Sequence, residues 1–329
     1  MQNLYSDDRL RLAARLYYVD GLGQNGVAKF VKVSQAKVSR LLALARERGI
    51  VRITVADYEP RNRELEARLR VVLGLSEAIV IKTIEGLADA DLRRAIGHFA
   101  SHAVEALIQP RDVVAMAGGR TLHDLVHQLP EPRNKALTVV QTMGSVASNV
   151  SAADAQEIGR VLAHRLGGHF LSLNTPAYMP EEQTRNALLQ LEQVRMVHEH
   201  LARANVALVG VGTLENSVFI ERGVLGASDV AGLKEAGVIG EICGRFFDAG
   251  GNECATPWRD RVMSVTFENL RRIPRVLAVV SGHDRTQAVL AAIRGGLLKG
   301  LVIDEDGASA LVAAATESAP VPKKHELPA

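Results

Sequence analysis

The sequence predicts an α/β protein in which an N-terminal winged helix-turn-helix precedes a larger domain built on a mostly parallel sheet. Two observations predict this fold class. Short amphipathic helical patterns and an excess of basic residues are confined to the first part of the chain, and apolar β-rich runs alternate with helical segments from residue 76 onwards. The chain has 329 residues, 47% of them hydrophobic, which is enough for one small and one large core.

The predicted domain boundaries follow these changes of pattern. We expect a winged helix-turn-helix over residues 1–56, a linker helix over 57–75, an α/β domain over 76–318 and a flexible tail over 319–329. The tail is expected because the end of the chain, ESAPVPKKHELPA, is rich in proline and charge.

The stretch SQAKVSRLLALARERG predicts the last helix of the first domain. Val38, Leu41 and Leu42 recur at helical spacing and form one buried face. Ser34 is placed to cap the first turn, and Gly49 can end the helix in the left-handed conformation. Two shorter helices are expected before it, in SDDRLRLAARLYYV and QNGVAKFV, and VRITV alternates like a strand of the wing.

Positive charge is concentrated in this same region. Residues 1–56 contain ten Lys or Arg and four Asp or Glu, a net charge of +6, whereas the whole chain carries +2, which leaves −4 for the rest. This distribution is typical of a DNA-binding domain attached to a part that does not touch DNA, although an amphipathic helix in an ordinary helical domain remains an alternative. The residues predicted to contact DNA are Gln24, Ser34, Gln35, Ala36, Lys37, Ser39 and Arg40.

Several classes of protein are disfavoured by what the sequence lacks. There is no apolar signal region and no run near the ~18 apolar residues of a membrane span. Cys243 and Cys254 lack the CxxC spacing of structural zinc sites, which predicts a reducing cytoplasm. HDLVH, with His123 and His127, is similar to a zinc protease motif but has Asp instead of Glu and no third ligand. We expect no metal, no cofactor, no membrane contact and a cytoplasmic location.

The segment DYEPRNRELEARLRVVLGL predicts a charged helix with a narrow apolar stripe. Leu65, Leu69, Val72 and Leu73 form the stripe, and Pro60 suits the first turn. Three roles remain open for this helix: it can link the domains, pair with its copy in a second subunit, or pack on its own domain.

From residue 76, apolar runs alternate with helical patterns. Near-continuous apolar strands with helices between them predict a mostly parallel sheet that is covered on both faces. The predicted strands are EAIVI, DVVAMAGG, LTVVQTMGS, HFLSLNTP, VALVGVGT, MSVTFE, RVLAVVSGH and GLVIDED. The predicted helices are DADLRRAIGHFASHAVEALI, TLHDLVHQL, AADAQEIGRVLAHRLG, PEEQTRNALLQLEQVRMVHEHLARA and DRTQAVLAAIRGGLLK.

Small and polar residues follow several of these strands, in GGRT, TMGS, NTP, GVGT and SGHDR. Open α/β sheets bind ligands at the carboxyl ends of their strands. Gly118 and Gly119 allow backbone N–H groups to approach an anion, a helix starting at Thr121 directs its positive end at the loop, and Arg120 adds a fixed charge. The pattern predicts a site for a small hydroxylated or phosphorylated molecule.

These motifs resemble the SorC family of bacterial transcriptional regulators. GQNGVAKFVKVSQAKVSRLLALARERGIVRI resembles that family's helix-turn-helix, and GEICGRFFDAGG is similar to a stretch typical of its sugar-binding domain. GGRTLHDL and AAIRGG are similar to two more stretches. The resemblance implies a domain with the fold of glucosamine-phosphate and ribose-phosphate isomerases but without catalysis. It also implies a sugar, sugar phosphate or polyol effector, and a homodimer or homotetramer on operator DNA.

The resemblance also implies an effector site, in which Asp248 lies near the sugar hydroxyls. Many members have two glycines and a phosphate-binding lysine where this chain has Gly282-His283 and Arg285, and a glycine where it has Lys32. The effector can therefore be phosphorylated or free, and we expect Asp284 to cap a helix with Arg285 in its first turn. The residues predicted to bind the effector are Gly118, Gly119, Arg120, Thr121, Gly144, Ser145, Gly212, Asp248, His283 and Arg285.

The function that accounts for most of these features is ligand-responsive regulation of transcription. We predict a DNA-binding regulator of a carbohydrate or polyol catabolic operon. The alternative is a sugar-phosphate isomerase-like enzyme with an accessory N-terminal domain, but no acid–base pair stands out near the loops. A nucleic-acid binder without an effector leaves the large sheet unexplained.

Overall fold

A computed structural model describes residues 5–83, 85–130 and 134–317. The chain divides into two compact units, residues 1–58 and 59–329, and each has its own hydrophobic core. The predicted tail over 319–329 lies outside the described residues.

The first unit is a bundle of three helices. Leu10, Val27 and Leu41 are fully buried where the helices meet, and the predicted apolar face of the third helix is confirmed. The first helix continues into a π-helical turn over Arg15–Val19. The helices are α1 (Asp7–Ala14), α2 (Gln24–Phe30) and α3 (Gln35–Glu47).

The predicted ends of α3 and the turn before it are confirmed. The Ser34 hydroxyl accepts a hydrogen bond from the Lys37 backbone N–H at 3.3 Å, and Gly49 has a φ of +69°. Lys32, at the position where the SorC resemblance expects glycine, has a φ of +51°. A lysine thus adopts the left-handed conformation that glycine normally provides, at a cost of about 1–2 kcal/mol.

The predicted wing is wrong. No strand forms among residues 5–58, and the segment after α3 is an irregular connection. Val51 N–H returns to Ala45 O at 3.0 Å, whereas Ile53 and Val55 are 57% and 78% exposed. Alternating residues form a stable strand only beside a partner strand, and this unit provides none. The first unit is a helix-turn-helix without a wing.

The second unit is built on a seven-stranded parallel sheet, as the sequence predicts. The strand order is β1-β9-β8-β5-β2-β3-β4, every neighbouring pair is parallel, and most strand residues are buried. The strands of this sheet are β1 (Glu77–Ile81), β2 (Val113–Met116), β3 (Thr138–Gln141), β4 (His169–Leu171), β5 (Val206–Val209), β8 (Arg275–Val279) and β9 (Gly300–Asp304). Strands β6 (Gly240–Ile242) and β7 (Arg245–Phe247) form a separate antiparallel hairpin.

Helices cover both faces of the sheet, which is why the central strands read as continuous apolar runs. The helices predicted in DADLRRAIGHFASHAVEALI and AADAQEIGRVLAHRLG form close to their predicted ranges. The helices are α4 (Arg63–Leu73), α5 (Asp89–Leu107), α6 (Arg120–His127), α7 (Ala155–Leu166), α8 (Glu182–Leu189), α9 (Glu192–Ala202), α10 (Val218–Glu221), α11 (Ala227–Glu235), α12 (Phe267–Arg272), α13 (Thr286–Arg294) and α14 (Glu305–Glu317).

Two elements of the second unit differ from the prediction. MSVTFE forms no strand, because it crosses the end of β3 instead of lying beside it: Met263 O accepts from Gly144 N–H at 3.0 Å and Val265 N–H donates to Thr142 O at 2.7 Å. The long helix predicted before β5 is divided into α8 and α9, since Leu191 is extended and interrupts the helical hydrogen bonds.

The helix predicted as a linker packs on its own unit. α4 starts after Asn62, whose side-chain oxygen accepts a hydrogen bond from Leu65 N–H at 3.0 Å, and not at Pro60. It contacts β1 and α14, and Leu69 is fully buried there. Glu66 is buried as well, and its Oε1 accepts a hydrogen bond from Arg61 Nε at 2.6 Å. The sequence left three roles open for this helix, and of these the structure shows packing on its own unit.

Candidate functional site

Four neighbouring strands end at the same edge of the sheet. Because β8, β5, β2 and β3 are adjacent and parallel, the loops that follow them meet at the carboxyl edge. Most of the effector-binding residues predicted from the sequence lie in these loops. We call this region the carboxyl-edge site.

The loop after β2 is held tightly against the start of α7. Gly119 N–H donates to Ala153 O at 2.8 Å, and a Cβ on Gly118 would lie 3.0 Å from the same oxygen. A larger residue at this position would press the loop against the start of α7. α6 begins at Arg120, one residue before the predicted Thr121; Arg120 is exposed and Thr121 is buried.

Backbone hydrogen bonds also fix the loop after β3. Gly144 N–H donates to Met263 O at 3.0 Å, and Ser145 N–H donates to Thr175 O at 2.9 Å. A Cβ on Gly144 would lie 2.4 Å from Pro176 O, so only glycine fits. The Ser145 side chain is exposed at this edge.

The hairpin of β6 and β7 brings a carboxylate to the loop after β5. Gly212 and Glu241 exchange two backbone hydrogen bonds of 2.9 Å. The hairpin turn consists of Cys243 and Gly244, with φ values of +52° and +76°, as a two-residue hairpin turn requires. A Cβ on Gly244 would lie 2.6 Å from Met143 Sδ.

Further contacts fix the hairpin turn at the carboxyl edge. Trp258 Nε1 donates to Gly244 O at 2.8 Å, and the Ser264 hydroxyl donates to Cys243 O at 2.6 Å. Burial raises the pKa of the Cys243 thiol to about 12, so this cysteine is a neutral packing group near pH 7. The rigid turn determines where Glu241 lies.

Glu241 has a buried, unsatisfied oxygen at the carboxyl-edge site. Its side chain is buried, with 8% of the residue exposed, and Oε2 has no hydrogen-bond partner among the described residues. Burial raises its pKa from 4.5 to about 7, although hydrogen bonds with the Ser217 side chain and the Gly244 backbone favour the ionised form. Such a group is costly unless a ligand supplies a partner.

In the loop after β8, Arg285 and Asp284 pair with each other. Arg285 donates to Asp284 through Nε at 3.0 Å and Nη2 at 2.8 Å, and its Nη1 donates to Val211 O at 3.3 Å. The hydrogen bond from Arg285 is the main cause that lowers the pKa of Asp284. His283 is exposed, and Gly282 N–H donates to the buried Asp304 carboxylate at 2.6 Å.

The predicted capping by Asp284 is wrong. α13 begins at Thr286, Arg285 occupies the capping position, and no side chain caps this helix. The positive end of a helix disfavours an arginine in its first turn, whereas the bidentate bond to Asp284 holds Arg285 just outside that turn.

Asp248 is not brought to the other predicted residues. Its Oδ1 accepts hydrogen bonds from Gly250 N–H and Asn252 N–H, both at 2.9 Å, and these bonds lower its pKa. The adjoining Gly251 packs against Gly295, just past the last turn of α13. Because α13 is about 13 Å long and Arg285 precedes its first turn, this loop lies at the opposite end of the helix.

Most of the predicted DNA-contact residues are exposed on the helix-turn-helix. Ser34, Gln35, Ala36, Ser39 and Arg40 are exposed, and Gln24 and Lys37 are half-buried. Four of the exposed residues are in the first half of α3, which is the part that enters the major groove in helix-turn-helix proteins.

Several basic side chains of this unit contact other parts of it. Lys37 Nζ lies 5.5 Å from the centre of the Tyr5 ring, so part of its side chain is held by that contact. Arg48 pairs with Asp7 at 2.7 Å, and Arg9 donates to Val31 O at 3.3 Å. Arg40 is exposed in the first half of α3.

Metal and membrane sites are not found in the described ranges. No group of three or more His, Cys, Asp or Glu side chains is arranged to hold a metal among them. The His123 and His127 rings stack at 4.2 Å, and His127 Nδ1 lies 2.9 Å from His123 O. None of the described helices is long and apolar enough to cross a membrane.

Comparison with known proteins identifies the second unit. Residues 60–313 match the family model described as "Putative sugar-binding domain". The chain belongs to this family.

Proteins similar to almost the whole chain include transcriptional regulators. The erythritol catabolism regulatory protein EryD of Brucella abortus is 29% identical over 93% of this chain and 97% of its own length. The deoxyribonucleoside regulator of Bacillus subtilis is 29% identical over 91% of this chain and 96% of its own length. The crystal structure of the full-length sorbitol operon regulator SorC from Klebsiella pneumoniae superimposes with a TM-score of 0.75 at 26% identity, over 94% of this chain and 99% of that one.

These comparisons confirm the SorC resemblance and the α/β fold inferred from the sequence. The carboxyl-edge site of this family member contains one group that sequence analysis did not select. Glu241 lies inside GEICGRFFD, the motif that pointed to the family, but no spacing in the sequence distinguishes it from a structural residue. Its burial and its unpartnered oxygen became evident only in the folded chain.

Proposed function

We propose that this protein regulates transcription of a carbohydrate or polyol catabolic operon, with operator binding controlled by a sugar, sugar phosphate or polyol effector. The observation that carries the proposal is the combination, in one chain, of an exposed face on α3 and a buried carboxylate with one unpartnered oxygen at the carboxyl edge of an α/β unit. The relatives named as erythritol, sorbitol operon and deoxyribonucleoside regulators support it.

In this proposal α3 enters the major groove of operator DNA. Arg40 contacts a base edge, and Gln35, Ala36 and Ser39 line the same exposed face. Lys37 and Gln24, which are half-buried, contact the phosphate backbone. A single helix-turn-helix reads only a half-site, so we include a homodimer or homotetramer in the proposal.

The effector binds at the carboxyl-edge site in this proposal. Arg120, Ser145 and His283 present exposed polar groups there, and Glu241 presents a buried one. The effector alters operator affinity to the extent that it binds the two states of the protein differently, and coupling of about 1–3 kcal/mol is typical of such linkage.

One observation favours the alternative, an isomerase-like enzyme. A buried carboxyl group with a pKa of about 7 has the properties of a general base at neutral pH. The proposal nevertheless assigns binding without catalysis to this unit, in line with the regulator names of the relatives.

The test begins with the full-length protein and operators selected from random duplex DNA. We expect a specific duplex to bind, and sugars, polyols or their phosphates to change its affinity. Arg120→Ala should keep operator binding and lose the response to the effector. The proposal is rejected if no duplex is preferred, and the enzyme is supported if the protein interconverts sugar phosphates and Glu241→Gln stops the reaction.

A further inference from the structure

A surface concavity lies between α2 and α3 in the helix-turn-helix unit, and we call it the turn concavity. It has a volume of about 580 Å³ and is open to solvent. Ser34, which contributes to its wall, is also one of the residues predicted to contact DNA, so the turn concavity adjoins the start of α3. Its lining residues come from α2, the turn and the cap of α3: Asn25, Ala28, Lys29, Lys32, Val33 and Ser34.

The turn concavity carries positive charge that is not neutralised. Lys29 and Lys32 are exposed, and neither side chain forms an ion pair or a hydrogen bond within the described part of the chain. Arg48 of the same unit, by contrast, is paired with Asp7 at 2.7 Å. Because no Asp or Glu is among the lining residues, all of which are described, the turn concavity suits an anionic ligand.

The backbone of Lys32 is strained, although its side chain forms no bond that offsets the strain. Its φ of +51° lies in the left-handed region, which glycine adopts freely and a residue with a Cβ does not. The SorC resemblance expects glycine here. Non-glycine residues in this conformation occur preferentially at functional sites, where the strain is tolerated because the side chain is used. The strain therefore indicates that the side chain of Lys32 has a role that glycine cannot fill.

The position of the turn concavity beside α3 determines which anion can reach it. An α-helix with its side chains is about 10–12 Å in diameter, and the major groove of B-DNA is about 12 Å wide. A helix that enters the groove therefore fills it, and the segment just before the helix faces the phosphates that border the groove. Lys32 and Ser34 are in that segment of this chain.

We infer that Lys29 and Lys32 bind a backbone phosphate of operator DNA in the turn concavity. This inference rests on the proposed function, and it adds two lysines that were not among the DNA-contact residues predicted from the sequence. A phosphate has the same charge next to every base, so the contact adds affinity and fixes orientation without adding sequence preference. Lysine in place of glycine at position 32 thus lowers the stability of the turn and raises the affinity for DNA.

The first experiment measures DNA binding by the full-length protein over a salt series, with a selected operator and with an unrelated duplex. Lys32→Gln should weaken both duplexes about eightfold at about 0.1 M salt and by much less near 1 M, because each neutralised phosphate contributes a slope of about −0.9 to log K against log salt. Lys29→Gln should have a similar effect, and the double variant should lose about twice the slope. Lys32→Arg keeps the charge and should keep the slope.

A matched control variant comes from the other unit. Lys234 is an exposed lysine on α11, and Lys234→Gln removes the same charge from the whole chain. It should change neither the affinity nor the salt slope. An equal loss in Lys234→Gln and Lys32→Gln would mean that net charge is responsible, and it would overturn the inference.

The second experiment distinguishes a phosphate contact from a structural role. Lys32→Gly removes the charge and relieves the backbone strain, so it should weaken DNA binding as much as Lys32→Gln does while raising the midpoint of thermal unfolding. A lysine with only a structural role would not give these two changes together. Circular dichroism establishes that each variant is folded, and Lys32→Gln decides if Lys32→Gly is not.

The inference and the proposed function fail on different results. Wild-type affinity and salt slope in the double variant would overturn the inference, whereas preferential binding of the operator by the unmodified protein would leave the proposed function standing. A loss confined to the operator would also overturn the inference, since it would indicate a base contact. If the unmodified protein prefers no duplex, the proposed function itself is rejected.

Discussion

The helix-turn-helix unit and the α/β unit place their functional groups in opposite ways. In the first, most of the residues proposed to contact DNA are nearly consecutive at the start of α3 and are exposed. In the second, the polar groups come from four strand-end loops and a hairpin, and Glu241 on the hairpin is buried with one unsatisfied oxygen. A face on one helix follows from local periodicity, whereas a site gathered from distant loops depends on the whole sheet.

The same difference determines whether a substitution changes binding alone or changes binding and stability together. Exposed side chains such as Arg40 can be removed at little cost to the core, since the buried face of α3 is formed by other residues. Glu241 and the Cys243-Gly244 turn are packed inside the fold, so their replacement changes stability and ligand binding together. The predictions below are arranged by expected effect, beginning with the largest.

Gly244→Ala should destabilise the α/β unit by about 3–5 kcal/mol, because it combines left-handed strain with overpacking against Met143 and Phe219. Denaturant unfolding monitored by Trp258 fluorescence measures the loss. Gly237→Ala is the control, since Gly237 has a φ of +73° but open space around its Cβ position, and it should cost only about 1–2 kcal/mol. Equal losses in the two variants would show that packing at the hairpin turn contributes nothing.

Glu241→Gln should stabilise the ligand-free protein above pH 7, by up to about 3 kcal/mol. The pKa of Glu241 is about 7 in the folded chain and near 4.5 when unfolded, so the unfolded state loses its proton first as the pH rises. The loss of folding stability caused by ionising buried Glu241 is therefore absent below about pH 4.5, grows between pH 4.5 and 7, and is constant above pH 7.

Thermal unfolding at pH 5 and pH 8 measures this penalty. The gain from Glu241→Gln should be much larger at pH 8, and Glu215→Gln, at an exposed position, should show no such difference. A gain in stability that is independent of pH would mean that the pKa of Glu241 is not raised in the folded chain.

Arg40→Ala should weaken specific operator binding by about 1–3 kcal/mol and relax sequence preference. Lys37→Ala should weaken all duplexes alike and reduce the salt dependence by about one charge, because a phosphate contact carries no sequence information. Affinities across a salt series distinguish the two effects. Arg46→Ala, in the last turn of α3, is the control. Wild-type affinity in both Arg40→Ala and Lys37→Ala would reject the proposed docking.

Lys32→Gly should stabilise the helix-turn-helix unit by about 1 kcal/mol, since it relieves the positive φ of the turn between α2 and α3. Lys29→Gly, inside α2, should destabilise by a similar amount because glycine is a poor helix former. Urea unfolding of both variants provides the comparison, and destabilisation by Lys32→Gly would contradict the backbone geometry.

The regular elements could largely be predicted from the sequence. The i, i+3, i+4 spacing of Val38, Leu41 and Leu42 located α3, and runs such as EAIVI located the buried strands, because both patterns depend on neighbours along the chain. VRITV has the same kind of local signal for a strand, yet it remains irregular. A strand also needs hydrogen bonds from a partner, and local alternation contains no information about that partner.

The site was only partly predictable for the same physical reason. The glycines after β2 and β5 were found because tight turns after apolar runs have a local signature. Asp248 and Glu241 lie seven residues apart in one motif, but the hairpin directs Glu241 towards Gly212 at the carboxyl edge and carries Asp248 towards the far end of α13. No periodicity distinguishes these two acids.

The sequence by itself determined that the chain has a basic helix-turn-helix and a parallel α/β unit whose strands end in small polar loops. Those features depend on burial patterns and charge that repeat over a few residues. Only the tertiary structure decided that Arg285 is held by Asp284, that the Gly144 and Gly212 N–H groups donate within the protein, and that an oxygen of Glu241 is left open. Whether a polar group is satisfied depends on which distant segments meet it, and that is fixed only when the sheet, the hairpin and α13 pack together.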